Sequence, residues 1–330
     1  MNLSKKNNII FALLVVLLII LFILNPSINL EACLNGLVVW ATSVAPALFP
    51  FLIFTKILSE LNFIENISKY LSPITKKLYN TPGISAYIYT MSVLSGYPVG
   101  AKLTADFYEK GLLTEGQAVR ITTFTSTSGP LFIIGTVGIG MFNNKNIGLI
   151  ILICHFVGAL LNGLIYRKYK YEKVFISSSI DFSVKQNKNM LEEIMISSIK
   201  SILIVGGYVA IFFVIITILN NYNLLFPIKY LFNFLFNIAN VPTSITNPLI
   251  NGIIEVTKGC LDLSKTNVSN TIKTIIATFL ISFGGFSIHL QALTFIKRFN
   301  IKINFYLFQK LTHALISSLL AVILCLIFKI

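Results

Sequence analysis

An all-α, polytopic integral membrane protein is what this sequence predicts, and three observations predict it. Of 330 residues, 55% are hydrophobic and 12% charged, with a mean hydropathy of +0.81; soluble domains carry about a quarter charged residues. Several apolar windows reach the roughly 20 residues that a helix needs to cross a bilayer core. Two shorter apolar stretches are interrupted by Gly and Pro, as in hairpins that enter a membrane without crossing it. The net charge of +14 falls mostly between the apolar runs. That is the placement of cytoplasmic loops, and it argues against nucleic acid as a partner.

The elements follow in order. After Lys5 and Lys6, an unbroken apolar run over 9–24 predicts a first span. Asn25-Pro26-Ser27 is a poor cleavage site, so this span is expected to be retained. Further spans are expected near 35–56, 119–142, 147–166, 193–219, 272–296 and 304–328. Re-entrant hairpins are expected at about 86–101, through Ser95-Gly-Tyr-Pro-Val-Gly100, and at about 244–260, with Pro248, Gly252 and Gly259. The segments 66–84 and 224–240 read as interfacial helices. Cys33, Cys154, Cys260 and Cys325 are far apart with no CxxC spacing, so they read as packed residues, neither a metal site nor a disulfide frame.

A shift of 156 residues aligns the two halves without a gap. Ser95-Gly96 falls on Asn251-Gly252, Lys102 on Lys258, Asp106 on Asp262, and Ser128-Gly129 on Gly284-Gly285. The domains expected are an extra N-terminal helix (1–34), a first repeat (35–166), a basic cytoplasmic linker (167–190) and a second repeat (191–330). Arg167, Lys168, Lys170, Lys173, Lys185 and Lys188 outweigh Glu172 and Asp181 in the linker, which places it inside. Counting spans from there starts the first repeat outside and the second inside. The repeats are therefore expected to be inverted.

Inverted repeats with hairpins and broken helices form a transporter plan in which solute sits near the midplane. The predicted breaks are Ser126-Thr-Ser-Gly-Pro130 and Ser282-Phe-Gly-Gly-Phe-Ser287, where Pro removes a donor and Gly-Gly weakens the helix. A packing kink is the plainer reading of either break alone. Lys102 with Asp106, and Lys258 with Asp262, stand four residues apart on one helix face. They are either surface ion pairs or lysines offered to an anionic solute. Glu255, inside the second hairpin, is a candidate for a cation or a hydroxylated ligand, or for pairing with Lys258 or Lys102. His289 could carry a proton or simply pack; His155 and His313 read as packing residues. There is no HExxH, Walker A or GxSxG motif, so neither an enzyme nor a cofactor or metal is expected.

Leu94-Ser-Gly-Tyr-Pro-Val-Gly-Ala-Lys-Leu103, Ser128-Gly-Pro-Leu-Phe-Ile-Ile-Gly135, Val137-Gly-Ile-Gly-Met141 and Gly284-Gly-Phe-Ser-Ile-His-Leu-Gln291 resemble the sporulation integral membrane protein family of the YlbJ type. Pro46-Ala-Leu-Phe-Pro-Phe51 and Glu255-Val-Thr-Lys-Gly259 extend the resemblance over most of the chain. It implies an endospore-forming bacterium and a pair of gate, or nucleoside-recognition, domains distantly similar to those of concentrative nucleoside transporters. Carried over, it implies substrate contacts at Gly96, Pro98, Ser128, Gly129, Glu255, Gly284, Gly285 and Ser287. The expected role is a multi-pass, permease-like protein of the mother-cell or forespore membrane, moving or gating a small polar solute, with anions among the candidates. The alternative is a non-transporting scaffold of a spore-envelope complex. Expected partners are the lipid bilayer and that solute, with a homo-oligomer or spore-envelope proteins as further candidates.

Overall fold

A computed structural model describes residues 5–171 and 189–329. The linker residues Glu172, Lys173, Asp181, Lys185 and Lys188 lie outside that description. The chain is 84% helical, and no strand occurs among the described residues.

Helix α1 (Lys5–Leu24) is followed by α2 (Pro26–Val39), which begins with Pro at a position whose N–H is unpaired in any helix. α2 runs through a wide π-turn, Trp40–Val44, into α3 (Ala45–Glu60). Pro46 cannot donate back to the preceding turn and would crowd it. The wider turn, closed by Ala45 N–H to the Trp40 carbonyl, lets the helix continue as one long span. α4 (Phe63–Tyr79) and α10 (Phe226–Ile238) occupy the two segments read as interfacial, and α10 has no buried residue.

Both predicted hairpins are pairs of short helices. α5 (Ile84–Ser95) turns at Gly96-Tyr97-Pro98 into α6 (Val99–Glu109), and α11 (Thr246–Ile254) turns at Glu255 into α12 (Val256–Ser264). The first extends beyond the predicted limit of 101, because Lys102, Asp106 and their neighbours continue the helix where the apolar run stops. The expected span 119–142 is two pieces: α7 (Glu115–Thr125), opened by a Thr114–Gln117 capping box, and a π-helical segment, Phe132–Met141. Residues 126–129 between them are non-helical. The span 272–296 is likewise α13 (Asn270–Phe283) and α14 (Gly285–Ile296), parted at Gly284. Long helices α8 (Lys145–Tyr166), α9 (Met190–Asn221) and α15 (Ile303–Phe328) complete the bundle. Asparagines at positive φ (Asn62, Asn80, Asn143, Asn223, Asn240 and Asn300) end or join the segments, a place usually given to glycine.

Moved by the same 156 residues, α6 falls on α12, α7 on α13 and α8 on α15. α9 packs along α2 and α3, with the Trp40 indole N–H donating to the Ile202 carbonyl at 3.0 Å and its ring filling the space over Gly206. α15 packs on α8 and α13, linking the halves. Polarity is arranged for lipid. α1 exposes most of its apolar side chains, while Thr, Ser, Asn, Gln and His side chains are buried among α7, α8, α13 and α15.

Candidate functional site

Each tip touches a break. At the tip of the first hairpin Gly96 has φ +72°, and a Cβ there would lie 2.7 Å from Gly129 N. Only glycine allows that approach. Ser92 reinforces it, donating to the Thr125 carbonyl and lying 3.0 Å from Thr127 Oγ1. In the second half Gly285 has φ +67°, and its Cβ would meet Gly252 O at 3.1 Å and Val256 N at 3.2 Å. Tyr97 crosses between the halves, its hydroxyl standing 3.4 Å from where a Cβ on Gly284 would be.

The two tips and two breaks share one cleft of about 590 Å³, its open mouth included. Ser95, Gly96 and Tyr97 line it from the first tip, and Ser128 and Gly129 from the first break. Glu255 and Thr257 line it from the second tip, Ser287 from the end of the second predicted break, and Gln291 one turn further along α14. Val44, Leu48, Phe132, Val205 and Val209 supply apolar wall, with Tyr208 beside them on α9. Of the eight substrate-contact residues expected, Gly96, Ser128, Gly129, Glu255 and Ser287 reach the cleft. Pro98, Gly284 and Gly285 are not on its wall; they shape the turn and the break behind it.

Glu255 is 3% exposed in extended backbone between α11 and α12. Its Oε2 accepts the Lys258 N–H at 2.7 Å, capping α12, where the positive helix end favours a carboxylate. The charged pairs behave differently from each other. Lys258 binds Asp262 one turn on, and Asn251 Nδ2 donates to the same carboxylate at 2.7 Å. Lys102 is exposed and does not meet Asp106. Arg298 reaches Asp106 instead at 3.5 Å, and Glu109 at 3.1 Å. Neither lysine lines the cleft.

Three polar residues behind the cleft, His155, His313 and Lys310, form hydrogen bonds around the breaks, and of these Lys310 was not singled out in the sequence. His155 Nε2 accepts the Ser128 N–H at 2.9 Å, so its proton is on Nδ1, which is 2.9 Å from Ser282 Oγ. One neutral imidazole thus ties the first break to the second. His313 Nε2 lies 2.9 Å from the His155 carbonyl, and Lys310 Nζ lies 3.3 Å from His313 Nδ1. Both are buried with their ring nitrogens hydrogen-bonded, in keeping with the packing role expected of them, and His155 in addition bonds to Ser128 in the first break and to Ser282 beside the second. His289 is buried against Phe283 and Tyr306, and neither ring nitrogen has a hydrogen-bond partner among the described residues.

Residues 41–145 match the Gate family, described as nucleoside recognition. The chain is 29% identical over 343 aligned positions to the "Sporulation integral membrane protein YlbJ" of Bacillus subtilis (strain 168), covering 98% of this chain and 84% of that one. Its fold is similar to that of CNTnw, a concentrative nucleoside transporter. Against an outward-facing double variant the TM-score is 0.59 at 15% identity, over 86% of this chain and 75% of that one. Against a variant in an intermediate state it is 0.53 at 12% identity, over 96% and 85%. The similarity to a sporulation membrane protein thus holds over nearly the whole length, the Gate match covers residues 41–145, and the chain is an all-helical, polytopic membrane protein with a fold similar to that of a concentrative nucleoside transporter.

Proposed function

We propose that this is a permease-like membrane protein of sporulation that binds a small polar solute in the cleft and moves or gates it across the membrane. The observation that carries the reading is convergence. Two hairpin tips and two helix breaks, from opposite halves of the chain, meet on one cavity. Helix ends at a broken span leave backbone donors and acceptors for a solute, and such ends at a repeat interface are where transporters hold theirs. The similarity to a sporulation protein supports the setting, and the Gate match supports the solute class.

The wall chemistry narrows that class. One carboxylate, several hydroxyls and an amide face apolar side chains, and among the described residues no Lys or Arg lies on the wall. This suits a neutral solute with hydroxyls and a flat apolar part, such as a nucleoside, better than an anion. Sugar hydroxyls would donate to Glu255, and the ring would lie against the apolar wall. The two gate-type units, 35–166 and 191–330, would then act as inverted repeats flanking the site, in keeping with the recurrence of α6–α8 as α12–α15.

The test is ligand-dependent thermal stabilisation of the purified protein over nucleosides, amino acids, dicarboxylates and spore metabolites. One class, expected to be nucleosides, raises the melting temperature. The gain is lost in Glu255→Gln, which keeps an oxygen to cap α12 but removes the charge, and in Ser128→Ala. No response from folded protein across the panel would favour the scaffold.

A further inference from the structure

Lys310 sits within α15 at 2% exposure, and no carboxylate among the described residues pairs with it. A buried charge is costly unless its hydrogen bonds are met. An ammonium has three donors and no acceptor. Three acceptors surround Nζ: Tyr97 Oη at 2.8 Å, the Ser126 carbonyl at 2.8 Å and His313 Nδ1 at 3.3 Å. His313 is set to accept, because its Nε2 is the nitrogen that meets the His155 carbonyl. The Tyr97 ring also faces the charge, with its centroid 5.0 Å from Nζ. Ser126 ends α7, where the negative end of the helix favours a cation. Oxygen and nitrogen ligands, all formally neutral, at the carbonyl end of a broken helix make a monovalent-cation site rather than an ion pair.

We propose that the first helix break is a monovalent-cation site permanently filled by the chain's own Lys310 ammonium. Nζ stands where a dissociable metal cation would otherwise satisfy the freed Ser126 carbonyl. Tyr97 accepts from Nζ and also lines the cleft, so the tethered cation and the cleft are contiguous. The consequence for transport, that solute binding needs no added Na⁺, rests on the solute-site reading. The cation site itself rests only on the surroundings of Nζ.

The experiment needs no solute, so its failure is separate from that of the solute site. Wild type, Lys310→Ala and Lys310→Met are melted in choline, sodium, potassium and methylammonium chlorides at equal ionic strength. The wild type is expected to melt at one temperature in all four salts. Lys310→Ala is expected to melt lower in choline and to recover saturably with methylammonium or Na⁺, which enter the vacated space. Lys310→Met, whose side chain fills that space without charge, is expected to melt low and gain nothing from either. A saturable, Na⁺-specific rise in the wild type overturns the proposal, as does Lys310→Ala matching the wild type in choline. If Lys310→Ala yields no folded protein in any salt, the wild-type comparison decides alone: a Na⁺-specific rise overturns the proposal and equal melting upholds it.

Discussion

Gly259→Ala should open the second hairpin, and its magnitude can be worked from contact distances. A Cβ at Gly259 would lie 2.2 Å from Gly252 Cα, 2.6 Å from Gly252 N and 2.9 Å from the Pro248 carbonyl. Carbon atoms in contact sit about 3.5–4.0 Å apart, so α11 and α12 would have to part by more than about 1 Å. All three neighbours are backbone, so no rotamer change relieves the clash. Overpacking of a core costs about 1–3 kcal/mol, and a contact between two backbones belongs at the upper end. The better helix propensity of Ala returns up to about 1 kcal/mol. The net expectation is a loss of about 2 kcal/mol, roughly thirtyfold in the folding equilibrium. Gly207 provides the control, since a Cβ there meets nothing within 4 Å. Gly207→Ala should therefore keep or slightly raise stability. The assay is thermal unfolding of both variants in the same detergent. Equal melting temperatures would refute the packing argument for the hairpin.

His155→Ala leaves the buried Ser128 N–H without an acceptor and should lower stability by about 1–3 kcal/mol in the same assay. His289→Phe removes ring nitrogens that have no partner among the described residues and keeps the aromatic contacts, so it should be neutral or stabilising. Arg120, 1% exposed, donates to the carbonyls of Asn80, Tyr169 and Lys170; Arg120→Met should cost about 3 kcal/mol or more. Arg120→Lys should restore only part of that, because an ammonium lacks the planar fork that reaches all three.

The hairpins and breaks were legible because Gly, Pro and Ser interrupt apolar runs, and those residues act locally. Gly96, Gly284 and Gly285 lie where the sequence pattern places the turns, and each takes a positive φ. Pairing across the chain was less legible. The four-residue rule joins Lys258 to Asp262 but fails for Lys102, because Arg298, 192 residues after Asp106, takes that carboxylate. His155 and His313 are 158 residues apart and meet only when α8 packs on α15. Lys310 did carry a signal: an ionisable residue inside the apolar run 304–328, the pattern that singled out Glu255. Its partners, Tyr97 and Ser126, come from the other half of the chain. The π-turn at Trp40–Val44 had only Pro46 to announce it.

The most direct test of the shared cleft is protection of two engineered cysteines, one from each half. Ser95→Cys and Ser287→Cys are labelled separately with a maleimide while the stabilising solute is titrated, against the background of the native cysteines. The account predicts that both are protected with the same half-saturating concentration. Protection of only one, or of neither, would contradict a single solute site built from both halves of the chain.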